Sequence, residues 1–448
     1  MISAATASPY DRPVPRYTSY PTAAQFDSAI GPAEHRLWLQ ELNDEAVSLY
    51  LHVPFCRELC WYCACHTMAM RRPGSLDAYA DALAMELLHL AQVAPGMLID
   101  GIQWGGGTPS QLGAARLRVI GRRIIALFDQ RSGAEISFEV DPRHCTGAIA
   151  EAIAEIGVTR VSLGVQDFDP DVQKAINRSQ SFEVTAAAIG MLRAEGIKRF
   201  NLDLVYGLPG QTIDTLGQTL DLALQLSPSR FAIFGYAHVP WMKAHQKLID
   251  ASTLPGAELR VAMARIVAER LVAAGYVRIG LDHYARPDDA LAIAARTGTL
   301  KRNFQGYVAD DTPWIVGVGA SAISSLPRGY SQNLADPAQY MSMIGEGKFA
   351  TARGVAVTND DRLRGAIIAR LMCEHSVDLE RECRRFHVDL DAFIASIDEL
   401  PLLERDGLVR RDHGKLGVTD AGMPFVRFVC AAFDRHYSAA EGRHSRGI

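Results

Sequence analysis

Between residues 48 and 236 the chain alternates short β-branched, apolar runs with longer amphipathic stretches, and that alternation leaves few folds open. The strand-like runs cover residues 48–53, 101–104, 135–140, 160–165, 199–205 and 230–236. Between them, residues 75–93, 114–129, 147–156, 183–195 and 213–226 carry apolar side chains three or four apart. In the first of these, Leu76, Ala80, Leu83, Leu87 and Leu90 share one helix face. Strand, helix and strand in regular succession predict βα units and a parallel sheet. Six units are too few to close an eight-stranded barrel, so an open, partial (βα)6 barrel is expected.

The residues that end the strands carry more chemistry than the strands themselves. In order they are His52; Gly105, Gly106 and Gly107; Glu139 and Asp141; Gln166 and Asp167; Asp203 with Tyr206; and Tyr236, Ala237 and His238. Parallel α/β folds place their sites at these carboxyl ends. Residues 240–355 are less regular. Within them, 278–284 and 314–323 read as further strands or a glycine-rich turn closing the barrel side, where Gly317 and Gly319 would permit close backbone approach. Past Asn359, three short helices are expected over 363–374, 379–386 and 390–403, then a hairpin over 407–419. Together they make a small winged-helix-like α+β domain. The expected division is an N-terminal arm over 1–45, the barrel with its closing elements over 46–358, and the C-terminal domain over 359–448. The arm's Pro9, Pro13, Pro15 and Pro21 favour extended chain over an early helix. The net charge of −5 argues against nucleic-acid binding by the hairpin, which is expected to serve packing or act as a lid.

Directly after the first strand run, Cys56, Cys60 and Cys63 form a C-x3-C-x2-C triplet. Such spacing lets one loop place three thiolates around an iron–sulfur cube and leave the fourth iron open to an added ligand. On spacing alone a zinc knuckle, with Cys65, His66 or His52 as fourth ligand, or a disulfide loop stays open. Cys65 follows Cys63 too closely to turn back onto the same cube, and is read as a neighbour. Cys145, Cys373, Cys383 and Cys430 are scattered, as in a reducing cytoplasm. No apolar run approaches the ~20 residues that span a bilayer. The N-terminus lacks the basic-then-apolar order of a secretory signal. A cytoplasmic protein with no membrane partner is expected.

The triplet, with an aromatic residue before its last cysteine, resembles the signature of radical S-adenosylmethionine (SAM) enzymes. Arg16-Tyr17-Thr18-Ser19-Tyr20-Pro21-Thr22, Gly105-Gly106-Gly107-Thr108-Pro109-Ser110, Glu139-Val140-Asp141-Pro142-Arg143 and Arg302-Asn303-Phe304-Gln305-Gly306-Tyr307 resemble the oxygen-independent coproporphyrinogen III oxidases. The likeness extends over nearly the whole chain, and it implies the same six-unit radical SAM barrel. It further implies a 4Fe–4S cluster on Cys56, Cys60 and Cys63, with SAM chelating the open iron. Reduction then cleaves SAM and releases a 5′-deoxyadenosyl radical. Tyr50, Gly106, Gly107, Thr108, Glu139 and Ile323 take the positions that contact this SAM, with Glu139 suited to a ribose hydroxyl or the ammonium.

A second SAM is implied at Tyr62, Gln166, Arg178, Asp203, Ala237, Phe304 and Gln305. Arg178 would take its carboxylate, Asp203 its sulfonium or ammonium and Phe304 its ring, with none of them touching iron. Tyr62 stands where the family usually has phenylalanine. Taken singly, Glu139, Asp203 and Arg178 also fit a structural ion pair, but their shared placement after strand ends favours a site.

The activity implied is anaerobic decarboxylation of two propionates of coproporphyrinogen III to vinyl groups, giving protoporphyrinogen IX, in heme biosynthesis. An electron donor such as flavodoxin or a reductase is implied, and a monomer is expected. The arm would fold over the substrate, and Arg12, Arg16 and Arg302 are candidates to hold its carboxylates. Two alternatives are a related radical SAM-type heme-binding chaperone, which would lack the 17–22 and 303–307 stretches, and a cluster-containing DNA-binding sensor.

Overall fold

All six strand runs form, in the expected order, as β1 (Ala46–Val53), β2 (Leu98–Gly106), β3 (Asp129–Val140), β4 (Arg160–Gln166), β5 (Arg199–Tyr206) and β6 (Arg230–Gly235). The structure is a computed structural model that describes residue 10 and residues 13–69, 74–310 and 312–437. Each strand pairs in parallel with the next. The connecting helices are α1 (Ser75–Val93), α2 (Ala114–Leu127), α3 (Gly147–Glu155), α4 (Phe182–Ala194) and α5 (Ile213–Gln225). Leu49, Leu51, Val53, Phe138, Leu163 and Leu202 are buried in the sheet, as expected of parallel strands covered by helices. Thr146 and Thr212 cap α3 and α5 by accepting the N–H groups of Ile149 and Thr215, which fixes where those helices begin.

The sheet is wider than six strands. Trp314–Val318 lies parallel on the free edge of β1, with Gly317 opposite Tyr50. Ile323–Leu326, Gly329–Asn333 and Thr351–Ala356 continue from it antiparallel. On the far side His283–Ala285 and Val277–Ile279 extend β6 antiparallel. Among the described residues these make twelve strands in a ladder that does not return on itself. The elements expected to close the barrel side therefore supply a seventh parallel strand and a meander. A Cβ on Gly317 would fall 2.6 Å from the Ile323 carbonyl oxygen, so the return from this strand admits only glycine there.

The C-terminal region carries the expected helices Asn359–Glu374 and Leu379–Arg385. The third is divided into Leu390–Ala395 and Leu400–Arg405, because Pro401 starts a new first turn. The hairpin of Val409–Asp412 and Lys415–Val418 gains a third strand, Ser376–Asp378. Among the described residues no helix is long and apolar enough to cross a membrane.

The first 45 residues depart from a purely extended arm, since Pro32–Gln40 is helical and carries its proline in the first turn. Upstream, Tyr10, Val14, Tyr17 and Tyr20 are buried in the core of the C-terminal region, beside Leu363, Ile367, Phe425 and Phe428. The Tyr17 hydroxyl donates to Asp434 at 3.1 Å, and Arg427 Nε donates to the Pro15 carbonyl at 3.0 Å. The rings therefore strap the C-terminal region to the chain's beginning, because an apolar, aromatic segment gains most by burial. Arg16 is exposed between them. Arg12 lies outside the described residues.

Candidate active site

The loop after β1 holds all three cysteines of the triplet. Phe55 and Cys56 pair with Met68 and Ala69, which brings the two ends of the loop together. Cys60 is buried, Cys56 and Cys63 are half-buried, and Cys65 is exposed. The end of β2 runs directly alongside: Gly107 N–H donates to the Val53 carbonyl at 2.8 Å and Thr108 N–H to the Phe55 carbonyl at 3.0 Å. A Cβ on Gly107 would sit 2.8 Å from the Pro54 carbonyl carbon and oxygen, so only glycine permits this approach. Thr108 Oγ1 donates to Cys56 Sγ at 3.6 Å.

Arg178 Nη1 donates to Cys60 Sγ at 3.4 Å, and Arg143 Nη2 approaches the same sulfur at 3.8 Å. Asp141 orients both guanidiniums, at 2.7 Å from Arg143 and 3.4 Å from Arg178. Burial alone would raise the Asp141 carboxyl, but His144, Arg178 and Arg143 take it well below the usual range. Arg178 is thus in contact with a candidate cluster ligand as well as near the second-SAM positions, a neighbour that its place in the sequence did not indicate. Buried at 6% side-chain exposure, its guanidinium takes the acceptors at hand, which are Cys60, Asp141 and the Gly164 carbonyl.

A second group surrounds Glu139. This side chain accepts Gly106 N–H at 3.2 Å and Gln103 Nε2 at 3.4 Å. Its carboxyl is pushed up to about 7, first by burial and then by the charge of Asp203. Asp203 accepts from Asn201 at 2.7 Å and from Ser162 at 3.3 Å, and burial raises it too. Tyr50 donates its hydroxyl to His52 Nδ1 at 2.9 Å, while His52 Nε2 reaches the His66 carbonyl at 3.0 Å. A donor on one ring nitrogen and an acceptor on the other fix a neutral tautomer, and burial lowers its pKa to about 4. With both nitrogens engaged, His52 is no free zinc ligand. Ile323 begins the strand that follows Gly317, the partner of Tyr50 in the ladder.

The remaining positions are dispersed. Gln166 is buried at the end of β4 with φ of 72°. Ala237 and Tyr62 are joined by one side chain, since Gln246 Nε2 donates to the Tyr62 carbonyl at 2.9 Å and the Ala237 carbonyl at 3.2 Å. Phe304 and Gln305 lie in the turn of a hairpin, Lys301–Asn303 with Gly306–Val308. Gln305 lines a cavity of about 320 Å³ together with Gln103, Ser137 and Arg160, and its buried Nε2 has no partner. Phe304 meets Tyr330 edge-on at 5.9 Å, in a crevice whose lining includes Tyr20 and Trp314 but neither Arg178 nor Asp203.

Sequence reasoning missed the segment that grips the cysteine loop from above. Lys243 Nζ reaches the Cys65 carbonyl at 2.8 Å and His245 Nε2 the Cys63 carbonyl at 2.7 Å, beside the Gln246 contact already described. No periodicity marks this irregular stretch, so no local signal identifies it. Arg143 lies in the 139–143 stretch, and only its approach to Cys60 gives it a role.

Comparison with known proteins adds to this geometry. The radical SAM superfamily matches residues 50–223, and the HemN C-terminal domain matches residues 357–425. The chain is 46% identical over 437 residues to the oxygen-independent coproporphyrinogen III oxidase of Bradyrhizobium diazoefficiens, covering 97% of each. It is 36% identical over 428 residues to the enzyme of the same name from Escherichia coli, covering 95% of this chain and 94% of that one. The solved structure of coproporphyrinogen III oxidase from Escherichia coli, described as a radical SAM enzyme, superposes with a TM-score of 0.90. It is 36% identical and covers 94% of this chain and 98% of the other.

Proposed function

The chain belongs to the oxygen-independent coproporphyrinogen III oxidases, and from that membership we propose how its own residues carry the reaction. It is a radical SAM enzyme that converts two propionates of coproporphyrinogen III to vinyl groups in heme biosynthesis. The observation that carries this reading is likeness over 97% of the chain combined with a three-cysteine loop set against a glycine strand end. Cys56, Cys60 and Cys63 fit a 4Fe–4S cluster: they share one loop, and Thr108, Arg143 and Arg178 direct donors at two of their sulfurs. Held by Cys56, Cys60 and Cys63, such a cluster would supply the one-electron reduction that radical cleavage of SAM requires, and the SAM the hydrogen-abstracting group for a propionate β-carbon.

Gly106, Gly107 and Thr108 present a bare strand end to the methionine end of that SAM, with Tyr50 and Ile323 alongside. Gln166, Asp203, Ala237 and Tyr62 hold a second SAM, with Gln305 offering an unpaired amide from the hairpin turn, while Phe304 faces the separate crevice with Tyr330. Arg178 tunes Cys60 as well as serving that site, because hydrogen bonds to cluster sulfurs help set the reduction potential. Anaerobic incubation of reconstituted protein with SAM, a reductant and coproporphyrinogen III tests the function. Protoporphyrinogen IX is the expected product, and SAM cleavage without any vinyl product would overturn the reading.

The electron donor docks over residues 241–248. There Trp241, Met242 and Leu248 are exposed large apolar side chains, and Lys243 and His245 contact the cysteine loop directly. All eight cysteines are free, which supports the cytoplasm.

Glu139 makes SAM binding depend on pH. Burial raises the folded carboxyl above its unfolded value, so the neutral form's contribution to stability is full below about 4.5 and is lost as pH rises through about 7. The groups facing it are Asp203, Tyr50 and Arg160. A cation beside Glu139 binds its ionised form, so raising the pH from 6 to 8 is expected to tighten SAM binding about tenfold. Equilibrium dialysis of labelled SAM checks this, and Glu139→Gln is expected to flatten the dependence.

A further inference from the structure

A cavity of about 950 Å³ opens beside the carboxyl ends of β5 and β6, where Tyr206, Phe234 and Tyr236 form its barrel wall. The arm contributes Arg16, and the C-terminal region contributes Met423, Pro424 and Arg427. Six arginines line it (Arg16, Arg260, Arg265, Arg278, Arg302 and Arg427) against three carboxylates, Asp282, Asp406 and Asp420. A local excess of cations stands out in a chain whose net charge is −5.

Two of these cations are withdrawn from water. The Arg302 side chain is 5% exposed, and its Nε and Nη1 are buried without a hydrogen-bond partner. Asp282 stands 3.9 Å from Nη1, too far for a hydrogen bond, while the Tyr307 ring lies 4.6 Å from the guanidinium carbon. Arg427 is 8% exposed. Burial first, and then repulsion from Arg16 and Arg302, lowers it to about 9. At Arg302 burial is offset by the charges of Tyr307 and Asp282, which hold the guanidinium above its ordinary value, while Asp406 accepts the Tyr10 hydroxyl at 2.7 Å and Asp282 also accepts from His283 at 2.7 Å. A buried guanidinium is costly where its N–H groups go unpaired, and the two orphaned Arg302 nitrogens are open to an anionic acceptor. Guanidiniums bind carboxylates in a two-pronged fork, and the tetracarboxylate substrate of this family brings four of them.

We propose that this cavity binds the carboxylate arms of the tetracarboxylate substrate, with Arg302, Arg260 and Arg427 inside and Arg16 and Arg278 at its mouth. The proposal rests on the functional reading above and names the part of the site that holds the propionates. The cavity reaches the cysteine loop through Ala237, whose carbonyl shares Gln246 with Tyr62. Propionates held among the arginines leave the remaining ones free to turn toward the cluster. Tyr206 and Tyr236 offer ring faces to the pyrroles between.

Coproporphyrin III, the stable oxidised tetracarboxylate, and its tetramethyl ester are the binding probes, followed by porphyrin fluorescence on reconstituted full-length protein. Kinetics with coproporphyrinogen III run beside them, and only preparations with the iron content of the wild type are scored. Arg302→Gln and Arg260→Gln are expected to weaken binding of the acid at least tenfold and to raise KM by a similar factor. Arg302→Lys should recover part of that loss, and the ester should bind every protein with the same low affinity. Arg278→Gln, at the exposed mouth, guards against variants that fail to fold and is expected to raise KM several-fold. Unchanged binding and KM in Arg260→Gln and Arg278→Gln, with the wild type turning over, would overturn the cavity and leave the function standing. Wild type that cleaves SAM but leaves coproporphyrinogen III untouched would overturn the function instead, and the acid–ester comparison would still decide the cavity.

Discussion

Replacing Cys56, Cys60 or Cys63 by alanine is expected to abolish visible cluster absorbance, bound iron and reductive SAM cleavage together. A cube already short of one protein thiolate has no ligand to spare. No other cysteine can move in. Cys145 is buried in the barrel core, Cys373 in a small cluster beneath the hairpin, and Cys383 and Cys430 in the C-terminal core. Cys65 is near but exposed. Cys65→Ala should therefore keep iron near the wild-type level. Loss of iron in Cys65→Ala with retention in Cys56→Ala would reverse the ligand assignment. Arg178→Gln provides a finer control: it should keep the iron but lower the reduction potential, because one donor to Cys60 Sγ is gone.

Deleting residues 1–22 is expected to unfold the C-terminal region. Tyr10, Val14, Tyr17 and Tyr20 are each no more than 6% exposed, and all lie within that core. Truncating one buried aromatic side chain costs about 3–5 kcal/mol. Several such losses at once approach the roughly 5–15 kcal/mol that holds a whole domain together. Limited proteolysis should cut the truncated protein after about residue 358 while the barrel resists. Tyr17→Ala alone should lower the midpoint of the C-terminal transition, and Tyr17→Phe should cost much less because only the bond to Asp434 goes. A truncated protein with an unaltered C-terminal transition would show that the rings do not support that core. This expectation differs from that of a simple substrate cover, whose removal would leave both folded units intact.

The difference shows what local sequence can and cannot encode. Leu76, Ala80, Leu83, Leu87 and Leu90 sit on one helix face whatever they pack against, so α1 was legible to the residue. The six strands were legible for the same reason, since β-branched runs bounded by polar residues fold alike in most surroundings. The clustering of Cys56, Cys60 and Cys63, and the placement of Glu139 at the end of β3, also followed from spacing along one chain, whereas Asp203 lies inside β5, three residues before its end.

What only tertiary structure decided is which distant surfaces meet. Val47–Leu51 accepts Trp314–Val318 as a parallel neighbour across more than 260 residues, and nothing in either run specifies the other. The tyrosines of the arm read as ligands or as core according to what lies opposite them, and the C-terminal region lies opposite. Arg178, assigned from the sequence only to the carboxylate of a second SAM, proves also to have Asp141 and Cys60 as its neighbours. The six arginines gather from the arm, the helix Ala257–Ala273, the edge strand Val277–Ile279, the hairpin and the C-terminal region, and none of them is part of a local motif of charge. Periodicity is a property of a few consecutive residues and survives in any environment. Partnership is set by the burial of whole faces against one another, a free energy that exists only once the chain has closed on itself.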